Sequence, residues 1–192
     1  MWSQGGPVRV GVSGAPGVGK STLLRRLAER FRSVRVTVST EAARVLVNQG
    51  VRINTESETE DYLAFLTHHA RQMRVLSGDL ILLDRTFLDV LCFMEMNGNA
   101  KPWLRNLTEE LVLSQMPLLR CYFYLPPEFE SKADGIRLVD PVAIGRFDRV
   151  LQRRLAEFRP NATFLRGAVA ERVELAVSEI NASLRSGRTE LS

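Results

Sequence analysis

Two hydrophobic rhythms alternate along the chain. Short apolar runs at Val8–Val12, Val34–Val38, Leu80–Asp84, Leu118–Leu125 and Ala162–Leu165 carry the β-branched and aliphatic character of strands. Between them lie longer stretches whose apolar residues recur three and four positions apart, as on one face of a helix. Thr22–Phe31 places Leu23, Leu24, Leu27, Ala28 and Phe31 on one side and Arg25, Arg26, Glu29 and Arg30 elsewhere. The spacing predicts a short helix over Glu41–Asn48, capped by Thr40 and stopped by Gly50. A long helix follows over Thr55–Ser77, with Leu63, Leu66, Ala70, Met73 and Leu76 as its buried stripe. Helical spacing resumes at Phe87–Met96 and Leu104–Gln115. It returns from Val142 to Phe158, where Ile144, Phe147, Leu151, Leu155 and Phe158 line up, and in a closing helix with Val169, Val173, Val177, Ile180 and Leu184 in register.

Strands that alternate with helices imply an α/β fold. The sheet is parallel, its crossovers right-handed, its helices on both faces, and its ligand cleft lies at the carboxyl ends of the strands. The 192 residues suit one domain, with residues 1–7 and 185–192 expected to be flexible ends. There are no internal repeats, no apolar run approaches a membrane span, and the start has no apolar signal core, so a cytoplasmic protein is expected.

One stretch changes the picture from architecture to chemistry. Gly14-Ala15-Pro16-Gly17-Val18-Gly19-Lys20-Ser21, followed by Thr22, stands between the first strand and the first helix and fits G-x-x-x-x-G-K-[ST] at every fixed position. The glycines let successive backbone N–H groups converge on phosphate oxygens, and the helix start adds its positive dipole end. Lys20 would reach the β- and γ-phosphates, and the Ser21 hydroxyl would ligate Mg²⁺. ATP and Mg²⁺ are therefore the expected ligands.

Other candidates gather at the same edge. Asp84 ends the third strand, where it is either a second anchor for Mg²⁺ or an acid capping the next helix. Glu41 ends the second strand beside a helix start. The charged loop Glu128–Val139, with Lys132 and Arg137, follows the fourth strand. His68 and His69 point about 100° apart on a helix and cannot chelate one metal; one packs and the other faces water. Cys92 and Cys121 are too few for a disulfide framework. The net charge of +4 is dispersed, and only Lys20, Lys101 and Lys132 of the 26 basic residues are lysines. Arginine suits bidentate phosphate recognition, while the lack of a basic block argues against a nucleic-acid partner.

Several landmarks then stand in order: GAPGVGKS, Thr40-Glu41-Ala42-Ala43-Arg44, Leu83-Asp84-Arg85-Thr86 with Asp89, Tyr122-Phe123-Tyr124-Leu125-Pro126, and Asp134-Gly135-Ile136-Arg137 with Arg146. In these the chain resembles the P-loop nucleoside and nucleotide kinase superfamily. It is most similar to the small AAA-type ATPase group related to the ribosylnicotinamide kinase domain of a bacterial NAD regulator. The resemblance implies a five-stranded parallel sheet in the order 2-3-1-4-5 with a lid after the fourth strand. It further implies Glu41 as base toward an acceptor hydroxyl, Arg85 at the transferred or acceptor phosphate, Arg137 and Arg146 as lid arginines on the donor phosphates, and Arg166, in Leu165-Arg166-Gly167, beside the nucleotide base. No nucleoside-clamping motif stands between Asp61 and Arg74, which leaves the acceptor open.

The reading is thus a Mg²⁺- and ATP-dependent phosphotransferase acting on a small nucleoside-like or nucleotide-like acceptor. Lys20, Glu41, Arg85 and Arg137 are its catalytic candidates, and a homodimer stays open. The alternative is a nucleotide-binding ATPase- or GTPase-type switch; its guanine version lacks an N-K-x-D after any strand. Phosphorylation of polynucleotide ends would need a contiguous basic groove.

Overall fold

A computed structural model describes residues 6–128 and 140–189 of the chain. Its elements are β1 (Val8–Gly14), α1 (Lys20–Arg30), β2 (Val36–Val38), α2 (Ala42–Val47), α3 (Thr59–Val75), β3 (Leu80–Asp84), α4 (Phe87–Asn97), α5 (Pro102–Gln115), β4 (Cys121–Leu125), α6 (Pro141–Phe158), β5 (Thr163–Phe164) and α7 (Val169–Thr189). The strands form one parallel sheet in the order β2-β3-β1-β4-β5. β1, β3 and β4 hold the middle, and β3 and β4 are buried along their whole length, as expected of strands covered on both faces. On one side α1 packs against α7; on the other, α4 packs against α3, α5 and α6. Val10, Val12, Leu80, Leu82, Phe123 and Leu125 are fully buried between the layers, each stabilising the fold by about 1.5–3 kcal/mol.

Register fixes the functional edge. Val12 of β1 pairs with Asp84 of β3, and Gly14 pairs with Leu125 of β4, so the loops leaving β1, β3 and β4 start at one level. Gly14 has a φ of 154°, and a Cβ there would stand 2.5 Å from the Leu125 carbonyl oxygen. Only glycine fits this turn into the loop.

Several boundaries differ from those the spacing predicts. Glu41, not Thr40, occupies the N-cap of α2, and its side chain makes no capping bond. The stretch from Thr55 divides into a 3₁₀ turn, Asn54–Glu56, and α3, which starts at a capping box of Glu58 and Asp61. The buried side of α3 is Tyr62, Leu66 and His69, flanked by the half-buried Met73 and Leu76, while Leu63 and Ala70 are exposed. The apolar letters alone point one residue away because the buried face carries a histidine. Leu118 belongs to a 3₁₀ turn and is exposed, so β4 begins at Cys121. Val169 is exposed at the start of α7, where Arg172 and Val173 are buried instead. Leu184 falls outside the described side chains. Among the described residues no helix is long and apolar enough to cross a membrane.

Candidate functional site

The phosphate loop spans from the end of β1 to the first residue of α1, with Gly19 as the N-cap in a left-handed conformation at φ 97°. Ser21 stands in the first turn of α1 and is exposed to the cleft. Lys20 is buried to 7% exposure, and its ammonium donates to the carbonyls of Gly14 (3.0 Å) and Ala15 (2.9 Å). Burial and then the neighbouring Arg85 lower its pKa to about 7, against the pull of Asp84, Asp89 and Glu41.

Asp84 lies beneath the loop, 5% exposed, with its backbone N–H on the Ser39 hydroxyl at 2.7 Å. It does not cap the next helix. Thr86 occupies that N-cap, in a capping box with Asp89. Burial holds the Asp84 carboxyl above the usual carboxylate range, with Glu41 and Asp89 adding to it while Lys20 and Arg85 oppose it. A carboxylate desolvated in this way and the Ser21 hydroxyl are both hard oxygen donors of the kind Mg²⁺ takes. Among the described residues no group of three or more His, Cys, Asp and Glu side chains is arranged to hold a metal ion. This donor set fits an ion held largely by phosphate and water.

Arg85 follows Asp84 with φ 69°, a left-handed conformation that costs a residue with a Cβ about 1–3 kcal/mol. The turn lets β3 keep one more ladder bond, Arg85 N–H to Val12 O at 3.0 Å, before the side chain swings to the cleft. Its guanidinium donates to Asp89 (2.9 Å) and to the Gly14 carbonyl (3.2 Å) and lies 5.5 Å and 5.7 Å from the ring centres of Phe93 and Phe147. Asp89 is 1% exposed and fully engaged, accepting also from the Ser13 hydroxyl and from the Thr86 backbone N–H (2.9 Å). Tyr122 closes this network through Ser13 (2.6 Å) and Thr86 (2.9 Å). Asp89, held by Ser13, Thr86 and Tyr122, thus pins one arginine against the back of the phosphate loop, with Phe93 and Phe147 beside it.

Glu41 faces the same cleft from the β2 side and pairs with Arg44 at 2.7 Å. Behind it, His68 of α3 is half-buried, and burial lowers its pKa, opposed by the Thr40 backbone. His69 packs edge to face on Phe87 at 6.1 Å.

Beyond the phosphate loop the cleft runs into an apolar pocket. Its walls are Ile53, Asn54 and Ser57 before α3, Tyr62 and Phe65 on α3, and Val90 and Phe93 on α4; the whole cleft holds about 970 Å³, part of it open to solvent. These residues escaped the sequence reading. A set of bonds holds the wall in place: Asn97 Nδ2 donates to Asn54 O (2.8 Å) and to the Tyr62 hydroxyl (2.7 Å), that hydroxyl donates to Asn99 (3.1 Å), and Asn99 Nδ2 donates to Ser57 O (2.7 Å). Arg52 adds a pair with Asp61 at 2.8 Å.

The structure therefore brings Gly17, Gly19, Lys20, Ser21, Thr22, Glu41 and Arg85 to one cleft, with Asp84 beneath. Arg146 is exposed on α6 and Arg166 is exposed after β5; neither lines it. Arg137 and Lys132 lie outside the described residues.

A parallel 2-3-1-4-5 sheet with this loop after its central strand defines a P-loop protein of the nucleoside and nucleotide kinase-like fold. The chain belongs to the family described as AAA domain, which it matches over residues 9–172. No curated protein matches it significantly. Among solved structures, a NadR protein in complex with NR has a TM-score of 0.74 and 22% identity over 93% of this chain and 52% of that one. Deoxyadenosine kinase from M. mycoides, with dCMP and dCDP bound, has a TM-score of 0.64 and 15% identity over 91% and 99%. Thymidylate kinase from Candida albicans has a TM-score of 0.64 and 13% identity over 93% and 94%. At these identities the likeness is one of fold, and the chain spans about half the length of the NadR structures.

Proposed function

We propose that the chain is a Mg²⁺- and ATP-dependent phosphotransferase whose acceptor is a small nucleoside-like or nucleotide-like molecule. The observation that carries the proposal is the continuity of the cleft: the phosphate loop opens directly into an apolar, aromatic-walled pocket, with Glu41 and Arg85 lining the same space. A protein that only hydrolysed nucleotide would not need an apolar pocket continuous with the phosphate loop.

In this reading the loop amides and Lys20 bind the donor phosphates, and the ammonium exchanges its two backbone carbonyls for phosphate oxygens. Ser21 and Asp84 would hold Mg²⁺, which when bound neutralises developing phosphate charge. Tyr62, Phe65 and Phe93 orient a planar ring, Arg85 steadies phosphate oxygens, and Glu41 takes the proton of the acceptor hydroxyl. Similarity to kinase folds and to a NadR structure in complex with NR supports the choice of acceptor class.

The test is incubation with labelled ATP, Mg²⁺ and a panel of nucleosides, nucleoside monophosphates and nicotinamide riboside. Transfer to a panel member is expected. Hydrolysis without transfer to any of them would overturn the proposal in favour of a switch.

A further inference from the structure

Arg172 has no place in the reading above, yet it is 3% exposed. It stands in the first turn of α7, where the helix dipole disfavours a cation, so local helix energetics do not explain it. Burying a guanidinium is costly unless its donors are met. Here they are met by three different loops. Nη1 donates to the carbonyl of Val18 in the phosphate loop (2.9 Å), Nε to the carbonyl of Gly167 after β5 (2.9 Å), and Nη2 to the carboxylate of Glu128 after β4 (2.8 Å). Glu128 also accepts from the Gly167 backbone N–H at 2.9 Å, which closes the ring.

The contact at Val18 bears on chemistry. The peptide that follows Val18 leads into Gly19 at φ 97°, and glycine's freedom would let that peptide plane rotate. A rotated plane would present a carbonyl to the phosphates in place of an N–H group and spoil the anion nest. Arg172 grips that carbonyl, and its Nη1 lies 4.0 Å from where a Gly19 Cβ would be.

We propose that Arg172 is a positioning residue for the donor nucleotide: it locks the Val18–Gly19 peptide and ties the phosphate loop to the loops after β4 and β5 as one unit. The inference rests on the phosphate loop binding nucleotide, as proposed above. Lysine cannot replace it, because one ammonium cannot reach three separated acceptors with a planar fork.

The experiment has two arms on wild type, Arg172→Gln and Arg172→Lys. In the nucleotide-free proteins, amide hydrogen exchange is followed at residues 14–20, at Glu128 and at residues 165–168, with β3 as internal control. Both variants are expected to exchange faster at all three loops together, with β3 unchanged. In the second arm, Mg²⁺-ATP affinity is measured by calorimetry, with an expected loss of about tenfold, the equivalent of one charge-assisted hydrogen bond, in both variants. Acceleration confined to the β5 turn, or unchanged affinity in a cooperatively folded variant, would overturn the proposal. Full affinity in Arg172→Lys would show that charge alone suffices and overturn it too. If Arg172→Gln fails to fold, Arg172→Lys carries both arms. If wild type binds no nucleotide, the proposed function falls, and the exchange arm still decides whether Arg172 couples the loops.

Discussion

Acidification should destabilise this protein through one histidine. His69 is 6% exposed, on the face of α3 that packs against the start of α4. Burial lowers its pKa to about 4 from 6.5; His68 on the same helix and Arg85 push the same way, while Asp89 on α4 opposes them. The folded state therefore binds the proton less readily than the unfolded chain, and between these two values the unfolded state holds more protons. Stability due to this group is complete above about pH 6.5 and is lost as pH falls toward 4. The full difference of 2.5 units corresponds to about 3.4 kcal/mol, of which about 2 kcal/mol is already lost at pH 5. Carboxylates titrate over part of the same range, so the measurement is a difference. Urea denaturation of wild type and His69→Leu is compared at pH 7.5 and pH 5.0. Wild type should lose about 2 kcal/mol more than the variant over this interval, whatever their offset at pH 7.5. Parallel pH profiles, within about 0.5 kcal/mol, would refute the claim that His69 is held neutral by burial.

Three further predictions concern the cleft. Lys20→Ala should lower phosphoryl transfer by at least ~10²-fold while circular dichroism and the melting transition remain those of a folded protein; unchanged transfer would remove the loop from the chemistry. Glu41→Gln should keep near-normal Mg²⁺-ATP affinity by calorimetry yet transfer ~10²–10⁴-fold more slowly, and transfer within about threefold of wild type would exclude a general base at this position. Gly14→Ala should destabilise the fold by about 2–4 kcal/mol in urea titrations, because its methyl group would meet the Leu125 carbonyl at 2.5 Å in a left-handed turn. A loss under about 1 kcal/mol would show that the turn relaxes easily.

What the sequence disclosed depended on how local each signal is. The phosphate loop is contiguous, so its spacing alone identifies it, and the strands it sits among show as apolar runs because both faces of the sheet are covered. Asp84 was legible as the acid ending such a run. The apolar pocket was not legible, because Ile53, Tyr62, Phe65, Val90 and Phe93 come from a loop and two helices that are far apart in the chain. Periodicity also misplaced the face of α3, since it counts Leu63 and Ala70 as apolar and cannot see that His69 is buried without charge. Arg172 failed for a related reason: an arginine in an amphipathic helix reads as solvent-facing, and nothing in its neighbours reveals three loops converging on it.

The two arginines that matter most here resolve the same physical problem in different ways. Arg85 accepts a strained backbone and is held by one fully engaged carboxylate, Asp89, which itself is fixed by Ser13 and Thr86. Its guanidinium still lines the cleft, where the proposed function has it meet a phosphate oxygen. Arg172 is paired with Glu128 and grips the loop from outside this cleft, so it acts on the shape of the loop. Both pin the phosphate loop by a carbonyl, Arg85 at Gly14 where it begins and Arg172 at Val18 where it meets α1. A loop of five residues, two of them glycine, has many accessible conformations and would lose much entropy on binding phosphate. Holding its two ends reduces that loss before a nucleotide binds, which is the preorganisation that the proposed phosphoryl transfer would draw on.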